Sequence, residues 1–106
     1  MFKIALEPTF TIPIEIDLPG MKTRPVFEAT FRRLSKSEYQ KLMASSIAPA
    51  ELVKQVMVGW KGVVDEAERE IPFSEGELDK LLEILPVADS VFLGFIASLN
   101  LALKKT

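Results

Sequence analysis

The sequence predicts an α+β fold, in which a small N-terminal antiparallel hairpin or sheet precedes about four α-helices. Two observations predict it. Apolar residues alternate strictly with polar residues from Phe10 to Leu18, which is the period of a half-buried strand. Two Ser-x-x-Glu sequences, beginning at Ser35 and Ser74, are typical of the capping boxes that start helices.

The chain has 106 residues, the usual length of one domain. We divide this domain into a β-rich part over residues 1–34, a helical part over 35–103 and a frayed tail over 104–106. The first residues lack the pattern of a secretory signal, and the longest apolar stretch, Val91–Leu103, is too short and too polar to span a membrane. We therefore expect a cytoplasmic protein without membrane contact.

The β-rich part contains a first strand over Phe10–Leu18 and a returning strand over Phe27–Arg32. Pro13 lies on the polar side of the first strand. Because proline cannot donate a ladder hydrogen bond, its position predicts an edge strand. The weaker alternation from Phe2 to Leu6 indicates an additional short strand.

Two helices are predicted directly after the strands. The first runs from its cap at Ser35 to about Ala44. The second begins at Pro49, and its apolar residues keep helical spacing as far as Trp60, where Lys61 and the glycine after it suit a helix end.

Two more helices follow an acidic turn over Asp65–Glu70. The third starts at Ser74, with Glu77 closing the capping box, and stops at Pro86. The fourth runs from Val87 to about Leu103 and carries apolar residues on more than one side.

The chemical inventory argues against an enzyme. Cysteine and histidine are both absent, which removes thiolate chemistry, Cys/His metal sites and the commonest general base near neutral pH. Glu66, Glu68 and Glu70 alternate, but they lack the spacing of a calcium loop and are better explained as a solvated turn. We therefore expect no catalytic residue, no metal and no cofactor.

Charge is distributed unevenly although the net charge is only −2. Residues 20–61 hold eight basic and three acidic side chains, whereas residues 65–83 hold eight acidic and two basic ones. These segments form either two solvated faces or a dipolar subunit that meets a copy of itself head to tail. The pI of about 5.2 argues against nucleic-acid binding, for which Arg32, Arg33, Lys36 and Lys41 are the only candidate contacts.

Protein recognition is the remaining class of function. Trp60 is either a core residue or a binding hot spot. The last helix is either surrounded by the fold or exposes an apolar face to a partner. Both alternatives stay open for each element. The candidate protein-contact residues are Trp60, Phe92, Phe95, Ile96 and Leu99.

Several short motifs over about residues 25–90 resemble the tail assembly chaperones of long-tailed bacteriophages and prophages. In that family a tryptophan and a Val-x-Asp precede an acidic turn, and a Pro-Phe-Ser-like helix start follows. The turn here has Ala67-Glu68-Arg69 where a glycine is often seen. The residues that carry the resemblance are Phe31–Leu34, Glu38–Tyr39, Val58–Asp65, Ile71–Ser74, Leu78, Leu81–Leu82 and Pro86–Val87.

The resemblance implies a non-catalytic protein that binds the tape-measure protein and keeps it soluble, with the tail tube protein as a further partner. It also implies weak homo-oligomers in the host cytoplasm, absence from the mature virion, and a longer frameshifted form for which the codons of Lys104-Lys105 are a candidate slippery site. Two alternatives remain: a small structural tail or virion adaptor, and a small regulatory binding module.

Overall fold

The structure is a computed structural model that describes residues 1–101. The α+β prediction is confirmed: a three-stranded antiparallel sheet, in the order β1-β2-β3, packs with four helices. The strands are β1 (Thr9–Glu15), β2 (Val26–Arg32) and β3 (Met57–Lys61); the helices are α1 (Lys36–Ala44), α2 (Pro49–Val56), α3 (Glu75–Leu82) and α4 (Val87–Ser98).

β1 is an edge strand, as Pro13 predicted. The Ile16 amide donates to the Pro25 carbonyl, and the Arg33 amide donates to the Pro8 carbonyl. Hydrogen-bonded and non-hydrogen-bonded pairs alternate along an antiparallel ladder, so these two bonds show which pairs of β1 and β2 are hydrogen-bonded. Pro13 stands opposite Glu28 in a non-hydrogen-bonded pair, so its nitrogen faces the open edge. It therefore removes no bond from the ladder and interrupts the edge that a further strand would need.

The prediction that the second helix continues to Trp60 is wrong. α2 ends at Val56, and Met57–Lys61 forms β3 along β2. A register shift between Thr30 and Phe31 inserts an extra residue into β3, so Met57 and Trp60, three positions apart, pair with Phe31 and Ala29 on the same side of the sheet. In a regular strand, residues three apart point to opposite faces of the sheet. Because of the bulge, Met57 and Trp60 are three apart but share a face, which is the spacing expected of a helix.

The additional strand predicted over Phe2–Leu6 does not form among the described residues. Phe2, Ile4 and Leu6 are exposed there. The Nε atom of Arg33 donates to the carbonyl of Glu7 at 2.9 Å and holds this segment against the end of β2.

The predicted helix starts are confirmed at both serines. Ser35 and Glu38 form the complete capping box of α1. Ser74 caps α3 by accepting from the Glu77 amide at 3.1 Å, but the Glu77 carboxylate pairs with Lys80 at 3.3 Å and does not return the bond.

α4 is shorter than predicted. It ends at Ser98, whose Oγ donates back to the Phe95 carbonyl, and Asn100 then adopts a left-handed conformation that stops the helix. The last two residues of the predicted helix, 102–103, and the predicted frayed tail over 104–106 lie outside the described part of the chain.

The core lies between one face of the sheet and the helices. Phe31 and Phe95 are fully buried, with ring centroids 4.9 Å apart, and Phe10 packs on both. Such aromatic packing adds to the burial of apolar area and fixes α4 across the sheet. The other buried residues are Ile14, Ile16, Phe27, Ala29, Leu52, Val53, Val56, Met57, Leu78, Val87 and Val91.

Within residues 1–101, no single helix is long and apolar enough to cross a membrane. α3 and α4 pass such a test of length and composition only as a pair, and they are bent by 106° at the break between them.

Candidate protein-binding surfaces

Trp60 is partly exposed, and it also makes contacts that hold two parts of the fold together. Its indole Nε1 donates to the Ile71 carbonyl at 2.7 Å, and its ring meets Phe73 edge-on at a centroid distance of 5.0 Å. These contacts attach the segment before α3 to the sheet. Beside the indole, Val63, Ile84 and neighbouring residues line a depression of about 210 Å³.

The acidic turn after β3 is organised by its own side chains. Asp65 Oδ1 accepts from the amides of Ala67 and Arg69, and Asp65 Oδ2 accepts from the Arg69 guanidinium at 3.1 Å. Glu68 takes a left-handed conformation at φ 61°, which closes the turn. Among the described residues, no group of three Asp or Glu side chains is placed to hold a metal ion.

The predicted contact residues of α4 occupy different environments. Phe95 is fully buried against Phe31, so it supports the helix from inside and does not reach the surface. Phe92 and Ile96 are partly buried and pack against the edge of the core. Sequence reasoning missed Leu93 between them, which is 64% exposed. The spacing of Phe92, Leu93 and Ile96 places them on one apolar strip, which we call the α4 face.

Leu99 lies elsewhere, in a groove of about 630 Å³ between β1, the start of α1 and the residues after α4. Sequence reasoning did not identify this groove. The helices cover Ile14 and Ile16 completely but leave Phe10 and Ile12, on the same face of β1, only partly buried. We call it the β1–α1 groove; its apolar lining is Leu6, Phe10, Ile12, Leu34, Leu99 and Leu101.

Two cations stand at the β1–α1 groove. Lys36 lies at the start of α1, and the Arg33 guanidinium carbon lies 5.2 Å from the centroid of the Phe10 ring in a cation–π contact. The groove therefore combines an apolar lining with positive charge.

Two of the four candidate basic side chains for nucleic-acid contact, Arg32 and Arg33, have partners within the chain. Arg32 donates to the Gln55 carbonyl at 2.9 Å and pairs with Glu38 at 3.1 Å. Arg33 is engaged with Glu7 and Phe10. Contacts to phosphate by either guanidinium would have to compete with these interactions.

One charge pair among the described residues connects the basic segment of the sequence to the acidic one. Lys54 on α2 pairs with Asp79 on α3 at 3.1 Å, and hydrogen bonding to Asp79 raises the pKa of Lys54 above its ordinary value. The pKa of Glu38 is lowered mainly by the hydrogen bond from the Ser35 backbone amide, and to a smaller extent by the Arg32 guanidinium. All these side chains are exposed enough for solvent to weaken the pairs, so they orient the surface more than they stabilise the fold.

An exposed apolar corner lies at the turn between α3 and α4. Leu85 is 84% exposed and Ile84 is 49% exposed, with exposed Glu83 just before them. We call Glu83–Leu85 the Leu85 corner. It lies before the first turn of α4, whereas the β1–α1 groove contains the residues just after its last turn.

No family model matches the chain, and no curated protein or solved structure matches it either.

Proposed function

We propose that this chain is a tail assembly chaperone of a phage or prophage, which binds the tape-measure protein and keeps it soluble before the tail tube forms around it. One observation supports this best: the α4 face leaves Leu93 exposed beside two partly buried apolar residues, Phe92 and Ile96, on a well-anchored helix. The sequence motifs around Trp60 and Phe73 point to the same family.

The α4 face suits a long amphipathic helix as client. Phe92, Leu93 and Ile96 can pack against an apolar stripe of such a helix by ordinary helix–helix contacts. A strip of three residues binds weakly, and many subunits along one client would multiply that weak contact into useful avidity. Association of this kind requires apolar contact and no catalytic group.

The buried aromatic cluster supports the α4 face. Phe95 packs on Phe31 and Phe10, so α4 is held against the sheet while Leu93 points away from it. A surface that is fixed in this way loses little conformational entropy on binding. The α4 face is therefore better prepared for a partner than the exposed N-terminal segment, of which Phe2 and Ile4 lie outside every helix and strand.

The test is co-expression with the tape-measure protein encoded in the same gene cluster. We expect the client to be insoluble alone and soluble in a complex with this chain. Leu93→Lys should abolish the rescue, because it places a charge at the most exposed residue of the α4 face. Met21→Lys is the matched control, since Met21 is 51% exposed in the β1–β2 connection and far along the chain from α4.

Circular dichroism of both variants establishes that they are folded. An insoluble client in the presence of folded wild-type protein contradicts the proposal and favours a structural adaptor, which should form a stable closed ring at low concentration. Equal rescue by wild type and Leu93→Lys contradicts the assignment of the α4 face.

A further inference from the structure

We propose that the β1–α1 groove of one subunit receives the Leu85 corner of a second copy, so that subunits associate head to tail. This contact is separate from the α4 face and does not depend on the proposed client. Two properties of the described surface carry it: complementary chemistry, and the placement of the two parts at opposite ends of one helix.

The chemistry of the two parts is complementary. The groove offers apolar side chains such as Phe10 and Leu99, with Lys36 and Arg33 beside them. The Leu85 corner offers two exposed apolar side chains with an acidic residue before them. Insertion of Leu85 removes apolar area from water on both sides, and Glu83 approaches the cations of the groove.

The two parts cannot meet within one subunit. Glu83–Leu85 precedes α4 and Leu99–Leu101 follows it, so the 12 residues of the helix lie between them. A helix of that length separates its ends by about 18 Å. In the proposed head-to-tail contact each subunit uses its groove for one neighbour and its corner for another, and the assembly grows in one direction unless it closes, either into a ring or into a two-fold dimer that makes the contact twice.

An array of this kind repeats the α4 face once per subunit. If the chain acts on a long helical client, the repeat supplies the multiple weak contacts that such a client needs. The head-to-tail contact itself is tested without any client, so a failure of the chaperone proposal leaves it intact.

The test uses two substitutions that should leave the fold unchanged. Lys36→Glu reverses the charge of the groove, and an acidic residue in the first turn of α1 is favourable for the helix dipole. Leu85→Asn removes the apolar side chain from a position that is 84% exposed. Met21→Asn is the matched control, because Met21 is 51% exposed and lies outside the groove, the corner and the α4 face.

Molar mass is measured by sedimentation velocity over a wide range of protein concentration, at low and at high salt. We expect the mass of the wild type to rise with concentration and to fall with salt. Lys36→Glu and Leu85→Asn should each weaken association by about tenfold or more, and Met21→Asn should leave it unchanged.

Mixing the two weakened variants gives the decisive result. The Lys36→Glu subunit keeps a working corner, and the Leu85→Asn subunit keeps a working groove, so the mixture should form a heterodimer and stop there. A wild type that stays monomeric at all concentrations overturns the proposal. So does a mixture that remains monomeric, because a head-to-tail contact must be restored between complementary halves.

Discussion

Gly94 of α4 lies so close to β1 that a Cβ atom built on it would stand 2.8 Å from Cδ1 of Ile14. Real Cβ atoms essentially never make so short a contact. α4 is thus seated on the edge strand through a position without a side chain, and the buried Ile14 fills the space that a side chain would occupy.

A double-mutant cycle tests this contact. Gly94→Ala alone should fail to gain the stability, about 1 kcal/mol, that alanine normally gives over glycine in a helix, because Ile14 must move in a packed core. In an Ile14→Val background the Cδ1 atom is gone, and the same substitution should become stabilising. Urea unfolding measures both free energies.

Gly76→Ala provides the comparison. A Cβ at Gly76, in α3, would meet no atom within 4 Å, so its effect should be the same with Ile14 or Val at position 14. An equal effect of Gly94→Ala in the two backgrounds would show that Ile14 does not limit the approach of α4.

The hydrogen bond from Trp60 to Ile71 leads to a second prediction. Trp60→Phe keeps an aromatic ring beside Phe73 but removes the indole donor, so it should lower the free energy of unfolding by about 1 kcal/mol. Hydrogen exchange at the segment around Ile71 should accelerate. If Trp60 served only as a binding hot spot, client binding would fall while stability and exchange stayed at wild-type values.

Acid stability should depend on Glu38. The pKa of Glu38 is lowered in the folded state, so its ionised carboxylate stabilises the fold at pH values above 4.5, the ordinary pKa. This stabilisation is lost as the pH falls through the lower pKa of the folded protein. Glu38→Gln should therefore lose stability at neutral pH and show a shallower decline on acidification. Thermal unfolding as a function of pH measures it.

Glu66→Gln serves as the control for Glu38→Gln. It removes the same charge from the exposed acidic turn without touching the capping box of α1. A decline on acidification that is equally steep in Glu38→Gln and wild type would contradict the role assigned to Glu38.

Pro13 leads to a prediction about solubility. Pro13→Val restores an amide on the open edge of β1 and adds a residue that favours strands, so it should promote intermolecular pairing and loss of soluble protein on storage. Pro13→Lys restores the same amide but adds a charge that opposes pairing, and it should remain soluble. Thioflavin fluorescence and the soluble fraction follow both variants over time.

The sequence was most informative where local chemistry decides the structure. Ser35 with Glu38, Ser74 and Pro49 marked helix starts correctly, because caps and first-turn prolines act within a few residues. The hairpin of β1 and β2 followed from strict alternation around Pro13. These features need no knowledge of the rest of the chain.

Non-local geometry explains the remaining errors. The bulge opposite Thr30 and Phe31 gave β3 the spacing of a helix, and it becomes visible only once β2 is in place. The β1–α1 groove exists because the helices leave Phe10 only partly covered. The periodicity of the sequence does not indicate how far the helices extend over a strand. The burial of Phe95 was left open for the same reason, since a helix that is apolar on several sides does not reveal which side faces the sheet.

The fluorescence of Trp60 can be used to follow the fold without an added label. Trp60 is the only tryptophan in the sequence, so all fluorescence from selectively excited tryptophan comes from position 60. That indole shares a depression with Ile84, the neighbour of Leu85 in the chain. A single unlabelled fluorescence signal should therefore report two events: loosening of the segment around Ile71, and the arrival of another subunit at the turn before α4.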